Sequence, residues 1–478
     1  MSTIVVVTLG GILLIAALGF MGRRSPDRDL AEWTVGGHNF GTTTTWLLQA
    51  GEVFTTFTFL GTAGLVVSGG AASFYSMPYV PLGYIAMYFI GPKIWRLARA
   101  RGHLTQADFL QDVYNSRFLG ILVAVAGVVF LLPYLQLQIT GLGLIVELVT
   151  GNGSLGNWSM VIAFVLWSGL RGVATTAYFK DVLMILMLFV VRVSVPIHYT
   201  GGFTNVFHTV QEQMPQMLSV HGTGEYGIPW YVSNMAISAI GCAFITMPND
   251  WPPVLSARSS TVLRRNYLFL PFYNTLIVMP LVVGYVALVV LGTGADPDSS
   301  LLTLASGVFP GWLMGVLTVA GIATAMVPSA SLLIATGTLV SRNLIRARTE
   351  KAQFATTQVT VVVATAAALG LAVAMQDLLA NLLLLTSSGM DQLAPAIAAA
   401  LLLRRRIAAS SILAGALTGL ALVIGYTFWW HLPWAISEGI IGLAANIAVV
   451  ALCEAFRRVR TGQRAPVRSE EERELLRA

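Results

Sequence analysis

The sequence predicts an all-α multi-pass membrane protein with about 13 transmembrane helices. Of its 478 residues, 56% are hydrophobic and only 10% are charged, whereas about 25% of the residues of a typical soluble protein are charged. Apolar runs of about 20 residues, the length that spans a bilayer, recur along the chain with short polar segments between them. Together these observations exclude an ordinary soluble fold and indicate a bundle of helices in lipid.

Thirteen apolar runs follow one another along the chain, and we number them span 1 to span 13. The first run lacks a basic amino-terminal flank and a small-residue cleavage site, so we expect a retained helix rather than a signal peptide. An odd number of spans places the two termini on opposite sides of the membrane. The approximate bounds of the runs are 3–21, 42–68, 73–95, 118–148, 158–178, 181–200, 229–249, 267–292, 310–340, 354–374, 379–403, 408–430 and 433–456.

Basic residues predict the orientation of the chain. Of the 28 Lys and Arg residues, 25 fall in segments that follow odd-numbered spans, Lys93 and Arg171 lie in the second half of such spans, and Arg192 lies in span 6. Because Lys and Arg concentrate on the cytoplasmic side, we expect the N-terminus outside a cell (inner) membrane and the C-terminus in the cytoplasm. The net charge of +6 then reflects loops beside anionic lipid and indicates no nucleic-acid partner.

Span 2 contains a carboxylate, Glu52, within the stretch WLLQAGEVFTTFTFLGTAGLVVSG. An ionisable group at mid-membrane costs about 2.5–3.5 kcal/mol, so those that are present are functional candidates. The stretch is rich in Gly, which weakens a helix, and in Thr, whose hydroxyl can pair freed backbone groups. We therefore expect an interrupted helix near Gly51–Thr55. Close packing through small residues is the alternative, but it does not account for a carboxylate.

Other ionisable residues in the spans are weaker candidates. Lys180 and Asp181 are expected at a cytoplasmic helix end, either solvated or paired locally. Asp391 lies deeper, and its part in gating or packing stays open. The remaining three, which are expected near the outer ends of their spans, are Glu147, Arg192 and Glu438.

Span 7 has the same polar character as span 2, and we expect a break between Asn234 and Gly241. Two polar, Gly-containing helices that lie five spans apart and run in opposite directions indicate an inverted repeat. The predicted organisation is a peripheral span with its cytoplasmic loop (1–41), a first repeat (42–200), an extracellular loop (201–228), a second repeat (229–406), two peripheral spans (407–456) and a cytoplasmic tail (457–478).

Four stretches resemble the sodium:solute symporter family in their order and spacing. They are WTVGGHNFG before span 2, GLRGVATTAYFKDVLM after span 5, LSARSSTVLRRN after span 7 and TAMVPSASLLIATGTLVSRNL in span 9. The resemblance covers nearly the whole chain and implies a LeuT-like core of five plus five helices, with the substrate between spans 2, 4, 7 and 9. It implies a cation-coupled symporter that works by alternating access and needs no organic cofactor.

Three further features are similar to the bacterial monocarboxylate permease branch of that family: LLPYLQLQITGLG in span 4, the Lys180–Asp181 pair and MVP in span 9. They imply a short monocarboxylate as the substrate. Asn249 departs from this branch, because relatives commonly have His there. A Na⁺-coupled symporter of another small solute, such as an amino acid or a vitamin, is therefore the alternative.

The candidate substrate site combines hydrogen-bond donors with apolar walls, as a short anion with an apolar tail requires. Half-helix amino ends also favour anions. For each candidate, contact between helices is the alternative to contact with substrate. The donors are Thr55, Thr56, Tyr134, Gln138, Asn234 and Ser238, and the walls are Phe54, Phe57 and Met326.

The coupling ion is expected to be H⁺ or Na⁺. The resemblance implies that Na⁺ is held by backbone carbonyls of span 2, near Gly51, and by a hydroxyl pair directly after the Met of span 9. Here Val327 and Pro328 follow that Met and offer no side-chain oxygen. We therefore expect Glu52 to carry a proton in place of Na⁺. After a local shift of the helix, the hydroxyls that would serve a Na⁺ site are those of Thr324 and Ser329.

Other functional classes have little support in the sequence. No nucleophile–base set indicates an enzyme, and the six His and two Cys residues show no spacing typical of a metal site. A transporter-like membrane sensor is a further alternative, but we expect too few residues after span 13 for a signalling domain. The expected partners are a small-molecule substrate and the lipid bilayer, with no obligate protein partner.

Overall fold

A computed structural model describes residues 3–21, 30–150, 159–222, 225–375, 377–430, 435–461, 467–468 and 470–477. Nearly all of these residues belong to helices, as the sequence predicts. We label the α-helices α1 to α21 in chain order. The bounds of the first eleven are Thr3–Met21, Leu30–Val35, Thr42–Val53, Thr62–Gly69, Tyr79–Arg101, Gln106–Tyr114, Arg117–Thr150, Ser159–Thr200, Phe203–Gln213, Ile228–Phe244 and Trp251–Ser256.

The second half of the chain continues the helical bundle. Its helices α12 to α21 are Ser260–Asn274, Val278–Leu291, Ser300–Val308, Gly311–Thr338, Glu350–Ala374, Leu379–Met390, Ala394–Leu402, Ala409–Phe428, Glu438–Thr461 and Glu470–Arg477. Nine helical stretches in the described residues are long and apolar enough to cross a membrane, and the shorter apolar helix Thr3–Gly19 adds to them. The chain is therefore a multi-pass membrane protein, and the count of about 13 is not confirmed, since predicted spans 5 and 6 form one continuous helix.

The boundary predicted between spans 5 and 6 is wrong. The structure has one continuous helix there, α8, of 42 residues, and no helix end falls between 178 and 181. The local sequence, AYFKDVLM, contains neither Gly nor Pro, so nothing in it ends a helix. The predicted starts of span 5, at residue 158, and of span 13, at residue 433, lie outside the described residues.

The break predicted in span 2 is confirmed. Helix α3 ends at Val53, and Phe54 adopts an extended conformation with φ −89° and ψ 90°. The chain resumes as a wide helical turn over Phe57–Gly61 and continues into α4. Discontinuous helices of this kind form ion and substrate sites in transporters because they expose backbone groups at mid-membrane.

The break predicted in span 7 is displaced. Helix α10 runs without interruption through Asn234 and Gly241. It ends where Ile245 turns into the left-handed region, with φ 48° and ψ 54°, just before the proline of a short turn, Pro248–Asp250. Helix α10 tolerates its isolated Gly, whereas Pro248, which lacks a backbone donor, marks the region of the true break.

Helix α15 forms the centre of the bundle. It continues through Pro328, and its residues from Leu317 to Thr338 are all buried. Helices α1, α7, α8 and α16 pack around it. Span 11 is also interrupted, by a short turn at Asp391–Leu393 between α17 and α18. The breaks of spans 2, 7 and 11 border one central cavity.

Candidate functional site

A lysine ammonium lies at the C-terminal end of α3, where span 2 is interrupted. Helix termini leave their last carbonyl groups without partners inside the helix. Lys180 of α8 donates through Nζ to the carbonyl oxygen of Gly51 at 2.6 Å and to that of Phe54 at 2.8 Å. Its Nζ also lies 3.1 Å from Oδ1 of Asp181. The three oxygens match the three N–H groups of an ammonium.

Lys180 and Asp181 therefore do not lie at a solvated helix end. Both residues have 0% exposure, and they lie inside the continuous helix α8. Tyr273 donates to Oδ1 of Asp181 at 3.1 Å, while Oδ2 of Asp181 has no partner among the described residues. Of the two alternatives that the sequence left open, local pairing is the one observed. Solvation was wrong because α8 passes behind the break instead of ending at the membrane surface.

Side chains cap the N-terminal end of the second half-helix of span 2, which begins at Thr56. Gln138 of α7 accepts through Oε1 from the backbone N–H of Thr56 at 3.3 Å and from its hydroxyl at 2.6 Å. The hydroxyl of Thr55 accepts from the N–H of Phe57 at 3.2 Å. A Cβ at Gly141 would collide with the side chain of Thr56, so a glycine lets α7 reach the break. Each of these contacts supplies a partner that the interrupted helix lacks.

Glu52 lies in the last turn of α3, and only 4% of it is exposed. Neither of its carboxylate oxygens has a hydrogen bond of good geometry among the described residues, although the side chains of Ser331 and Asn249 lie close enough to donate to it. The groups that surround the carboxylate are Ser331, Asn249, Asp250 and the ammonium of Lys180. An ionised carboxylate buried without hydrogen bonds carries a large desolvation cost. A bound proton or a bound cation would remove that cost.

A cavity of about 100 Å³ lies between the broken helices. This space is large enough for several water molecules or one small solute. Three carboxyl groups line it, those of Glu52, Asp250 and Asp391, and no Lys, Arg or His does so among the described residues. Of the nine predicted substrate contacts, four line the cavity: Thr55, Phe57, Tyr134 and Ser238.

The other predicted residues do not line the cavity. Asn234 donates to the carbonyl of Trp230 in its own helix at 2.9 Å. The hydroxyls of Thr324 and Ser329 also bond to carbonyls of their own helix, each at 2.7 Å. The three remaining predicted contacts that do not line the cavity are Phe54, Thr56 and Met326, and Gln138 contacts Thr56 as described above.

Asp391 and Asp250 are the two cavity carboxyls that the sequence did not assign to the site. Thr246 donates to Oδ1 of Asp391, whose Oδ2 has no partner among the described residues. A Cβ at Gly241 would collide with the Asp391 carboxylate, so α10 approaches the span 11 break closely. Asp250 follows Pro248 in the turn at the span 7 break, and this proline at the end of an apolar run is the sequence signal that marks the position.

Comparison with known proteins gives concordant matches. Residues 33–422 match the model of the sodium:solute symporter family. The chain is 33% identical to the uncharacterized symporter YhjB of Bacillus subtilis, over 94% of this chain and 96% of that protein. It is 28% identical to a monocarboxylate transport permease protein of Rhizobium johnstonii, over 96% of each chain.

Two solved structures share its fold. A Na⁺-coupled sialic acid symporter, in a substrate-bound outward-open state, aligns with a TM-score of 0.81 at 13% identity, covering 98% of this chain and 99% of that one. Mhp1, a nucleobase-cation-symport-1 family transporter, aligns with a TM-score of 0.55 at 12% identity, covering 95% and 99%. At such low identity the likeness concerns the fold alone, and it confirms the predicted LeuT-like architecture.

Proposed function

The chain belongs to the sodium:solute symporter family, and we propose that it is a proton-coupled symporter of a short monocarboxylate. Family membership makes it a cation-coupled solute symporter in a membrane. The finer proposal concerns the coupling ion, the substrate and the orientation. Import proceeds by alternating access across the cell membrane, with the N-terminus outside and the C-terminus in the cytoplasm.

The observation that carries the proposal is the carboxylate of Glu52, which is buried at the span 2 break and has no hydrogen bond of good geometry among the described residues. A group that takes up a proton there and releases it later changes the charge of the cavity wall by one unit. That change occurs next to the helix break, and breaks of this kind form the ion and substrate sites around which alternating access takes place in transporters. Glu52 is therefore the proposed proton carrier.

The surroundings of Glu52 argue against Na⁺ as the coupling ion. Val327 and Pro328 contribute no side-chain oxygen at the position after Met326. The nearest alternatives along α15, Thr324 and Ser329, have hydroxyls that bond to carbonyls of the same helix, and neither residue lines the cavity. Na⁺ is a hard cation and prefers oxygen ligands, as Ca²⁺ and Mg²⁺ do, so a proton on a carboxylate fits the residues better.

The charge of the cavity links the substrate to the proton. Three carboxyl groups and no basic side chain line it in the described part of the chain, so an anion is repelled while those groups are ionised. Protonation of Glu52 lowers this repulsion, and anion uptake then requires proton uptake. The cavity volume of about 100 Å³ and the name of the Rhizobium relative support a short monocarboxylate.

An amino acid is the second candidate substrate, and the same carboxyl groups favour it. A protonated amine placed between Asp250 and Asp391 gains the attraction that a monocarboxylate lacks. Both residues line the cavity, and Oδ2 of Asp391 has no partner among the described residues. The two candidates differ in net charge, and this difference makes them separable by experiment.

Uptake into proteoliposomes tests the proposal. Labelled short carboxylates, amino acids and vitamins are offered with and without Na⁺, and with and without an inward proton gradient. We expect one short monocarboxylate to accumulate on the proton gradient alone, with no effect of Na⁺. Strict Na⁺ dependence contradicts proton coupling, and accumulation of an amino acid but of no monocarboxylate contradicts the proposed substrate.

An imposed membrane potential adds a second criterion. Moving one unit charge through 100 mV supplies about 2.3 kcal/mol, which corresponds to about fiftyfold accumulation at 1.36 kcal/mol per tenfold. A monoanion carried with one proton is electroneutral and gains nothing from the potential. A zwitterionic amino acid carried with one proton moves one positive charge and responds to it. Uptake that ignores the potential therefore supports the monocarboxylate.

A further inference from the structure

We propose that the ammonium of Lys180 is a built-in cation that fills the cation position at the span 2 break, so that removing it creates a Na⁺ site. The inference extends the proposed function. It rests on that function in one respect, namely that the carrier works without Na⁺. It goes further by assigning a role to a residue in α8 that does not line the cavity.

The span 2 break has the properties of a cation site. Carbonyl groups at the C-terminal end of a half-helix carry a partial negative charge that attracts cations, and transporters use such unwound carbonyls to coordinate ions. At this break the carbonyl oxygens of Gly51 and Phe54 both point at one position. That position holds Nζ of Lys180, at 2.6 and 2.8 Å from them.

The third oxygen at this position belongs to a carboxylate. Oδ1 of Asp181 lies 3.1 Å from Nζ of Lys180 and accepts from Tyr273. The ammonium thus uses its three N–H groups on three oxygens, and none is left for a substrate or a further ligand. All of this is buried, with 0% exposure at both Lys180 and Asp181. This position is therefore not open to a mobile cation.

Removal of the ammonium leaves a charged and oxygen-lined space. The carbonyls of Gly51 and Phe54 lose their partner, and the Asp181 carboxylate is left as a buried charge without a counterion. Oδ2 of Asp181 has no partner among the described residues even with Lys180 present, so it is available as a fourth oxygen. Since an unpaired buried charge is strongly destabilising, a small cation that enters this space is bound and stabilises the protein.

A purely structural role for Lys180 is the competing explanation, in which the ammonium only caps the carbonyls of α3. Both explanations predict that Lys180→Ala lowers stability. Only the built-in cation predicts that Na⁺ restores it and that the restoration requires Asp181. The test therefore measures the response to Na⁺ rather than the loss of stability itself.

Melting of the purified full-length carrier without substrate provides this test, in NaCl against choline chloride of equal ionic strength. We expect the wild-type melting temperature to be indifferent to the cation. Lys180→Ala and Lys180→Met, which retains most of the aliphatic stem, should each gain about 2–4 °C in saturating NaCl. The gain should vanish in Lys180→Ala combined with Asp181→Asn. Lys351→Ala, a change of an exposed basic residue, is the matched control and should show no gain.

The outcomes are decisive in each case. If Lys180→Ala or Lys180→Met folds and shows no response to Na⁺, the inference is overturned, as it is if the wild type is itself stabilised by Na⁺. If neither variant folds, binding of ²²Na⁺ to the wild type is measured instead. Binding overturns the inference, and absence of binding supports it. This test measures melting and not transport. If the uptake experiment finds a different substrate, the proposed function fails, whereas the response of the melting temperature to Na⁺ is unaffected.

Discussion

Gln138 shows at the scale of one residue how the break in span 2 is held open. Its Oε1 accepts from both the N–H and the hydroxyl of Thr56, so Gln138→Leu leaves a buried N–H unpaired at a cost of about 1–3 kcal/mol. We expect the half-helix that begins at Thr56 to shift and the apparent KM for substrate to rise at least several-fold. Uptake kinetics in proteoliposomes measure this, together with the melting temperature.

Gln136 provides the control for that substitution. It lies on the same helix but donates to the carbonyl of Met375 at 2.6 Å, away from the break. Gln136→Leu should lower stability by a similar amount and leave the KM unchanged. An unchanged KM in Gln138→Leu, or an equal rise in both variants, contradicts the assigned role of Gln138.

Asp298 gives a prediction about pH. It lies in the loop before α14, 8% exposed, and Oδ2 accepts from the backbone N–H of Leu379 at 2.9 Å. Burial raises the pKa of this carboxyl from 3.8 to about 7. The folded protein therefore holds a proton that the unfolded chain has lost, so this contribution to stability is present at low pH and is lost as pH rises through about 7.

Replacing Asp298 by Asn removes this proton uptake while keeping the shape of the side chain. Between about pH 5 and pH 8, the melting temperature of the wild type should fall more than that of Asp298→Asn. The same scan applied to Asp296→Asn, an exposed aspartate of the same loop, is the control. Parallel curves for the wild type and Asp298→Asn would exclude the assigned protonation.

Single residues were predictable from the sequence where their chemistry conflicts with lipid. Glu52 was identified because a carboxylate in an apolar run is costly in the membrane and is therefore a functional candidate. Gln138 was predicted to contact the substrate or a neighbouring helix; its Oε1 makes the helix contact, with Thr56, and contact with the substrate stays a prediction. The place of Lys180 was missed, since its acceptors are backbone carbonyls more than 120 positions away.

At the scale of helices, the approach of α10 to the span 11 break depends on a glycine. A Cβ at Gly241 would collide with the carboxylate of Asp391, which accepts from Thr246. Gly241→Ala should therefore separate the two broken helices and reduce the maximal uptake rate at least several-fold. Gly370→Ala is the control, because a Cβ at Gly370 meets open space. Normal transport in Gly241→Ala would contradict this role of the contact.

Helix breaks were predictable in kind but not always in position. Span 2 breaks where Gly51 and the following threonines are concentrated, and its freed groups find partners in Lys180, Thr55 and Gln138. Span 7 breaks four residues after Gly241, at Ile245 and just before Pro248, whereas Asn234 bonds to a carbonyl of its own helix and leaves α10 regular there. Local composition indicates where a helix is weak, whereas tertiary contacts decide where it opens.

At the scale of the whole molecule, the broken helices place three carboxyl groups around one small cavity and a fixed cation behind it. Glu52, Asp250 and Asp391 line the cavity. Lys180 binds the free carbonyl groups at the C-terminal end of α3. The LeuT-like fold was predictable from the order of motifs along the chain. The charge balance was not, because it depends on which distant residues meet, and it is the charge balance that points to a proton.

Glu52→Gln tests this central claim most directly, because glutamine keeps the shape of the side chain and cannot release a proton. The measurement compares two activities of the same proteoliposomes without Na⁺, namely substrate accumulation on an inward proton gradient and exchange of internal for external substrate at equal pH. We predict that the wild type performs both and that Glu52→Gln retains exchange while losing proton-driven accumulation. A Glu52→Gln carrier that still accumulates substrate on the proton gradient contradicts the account.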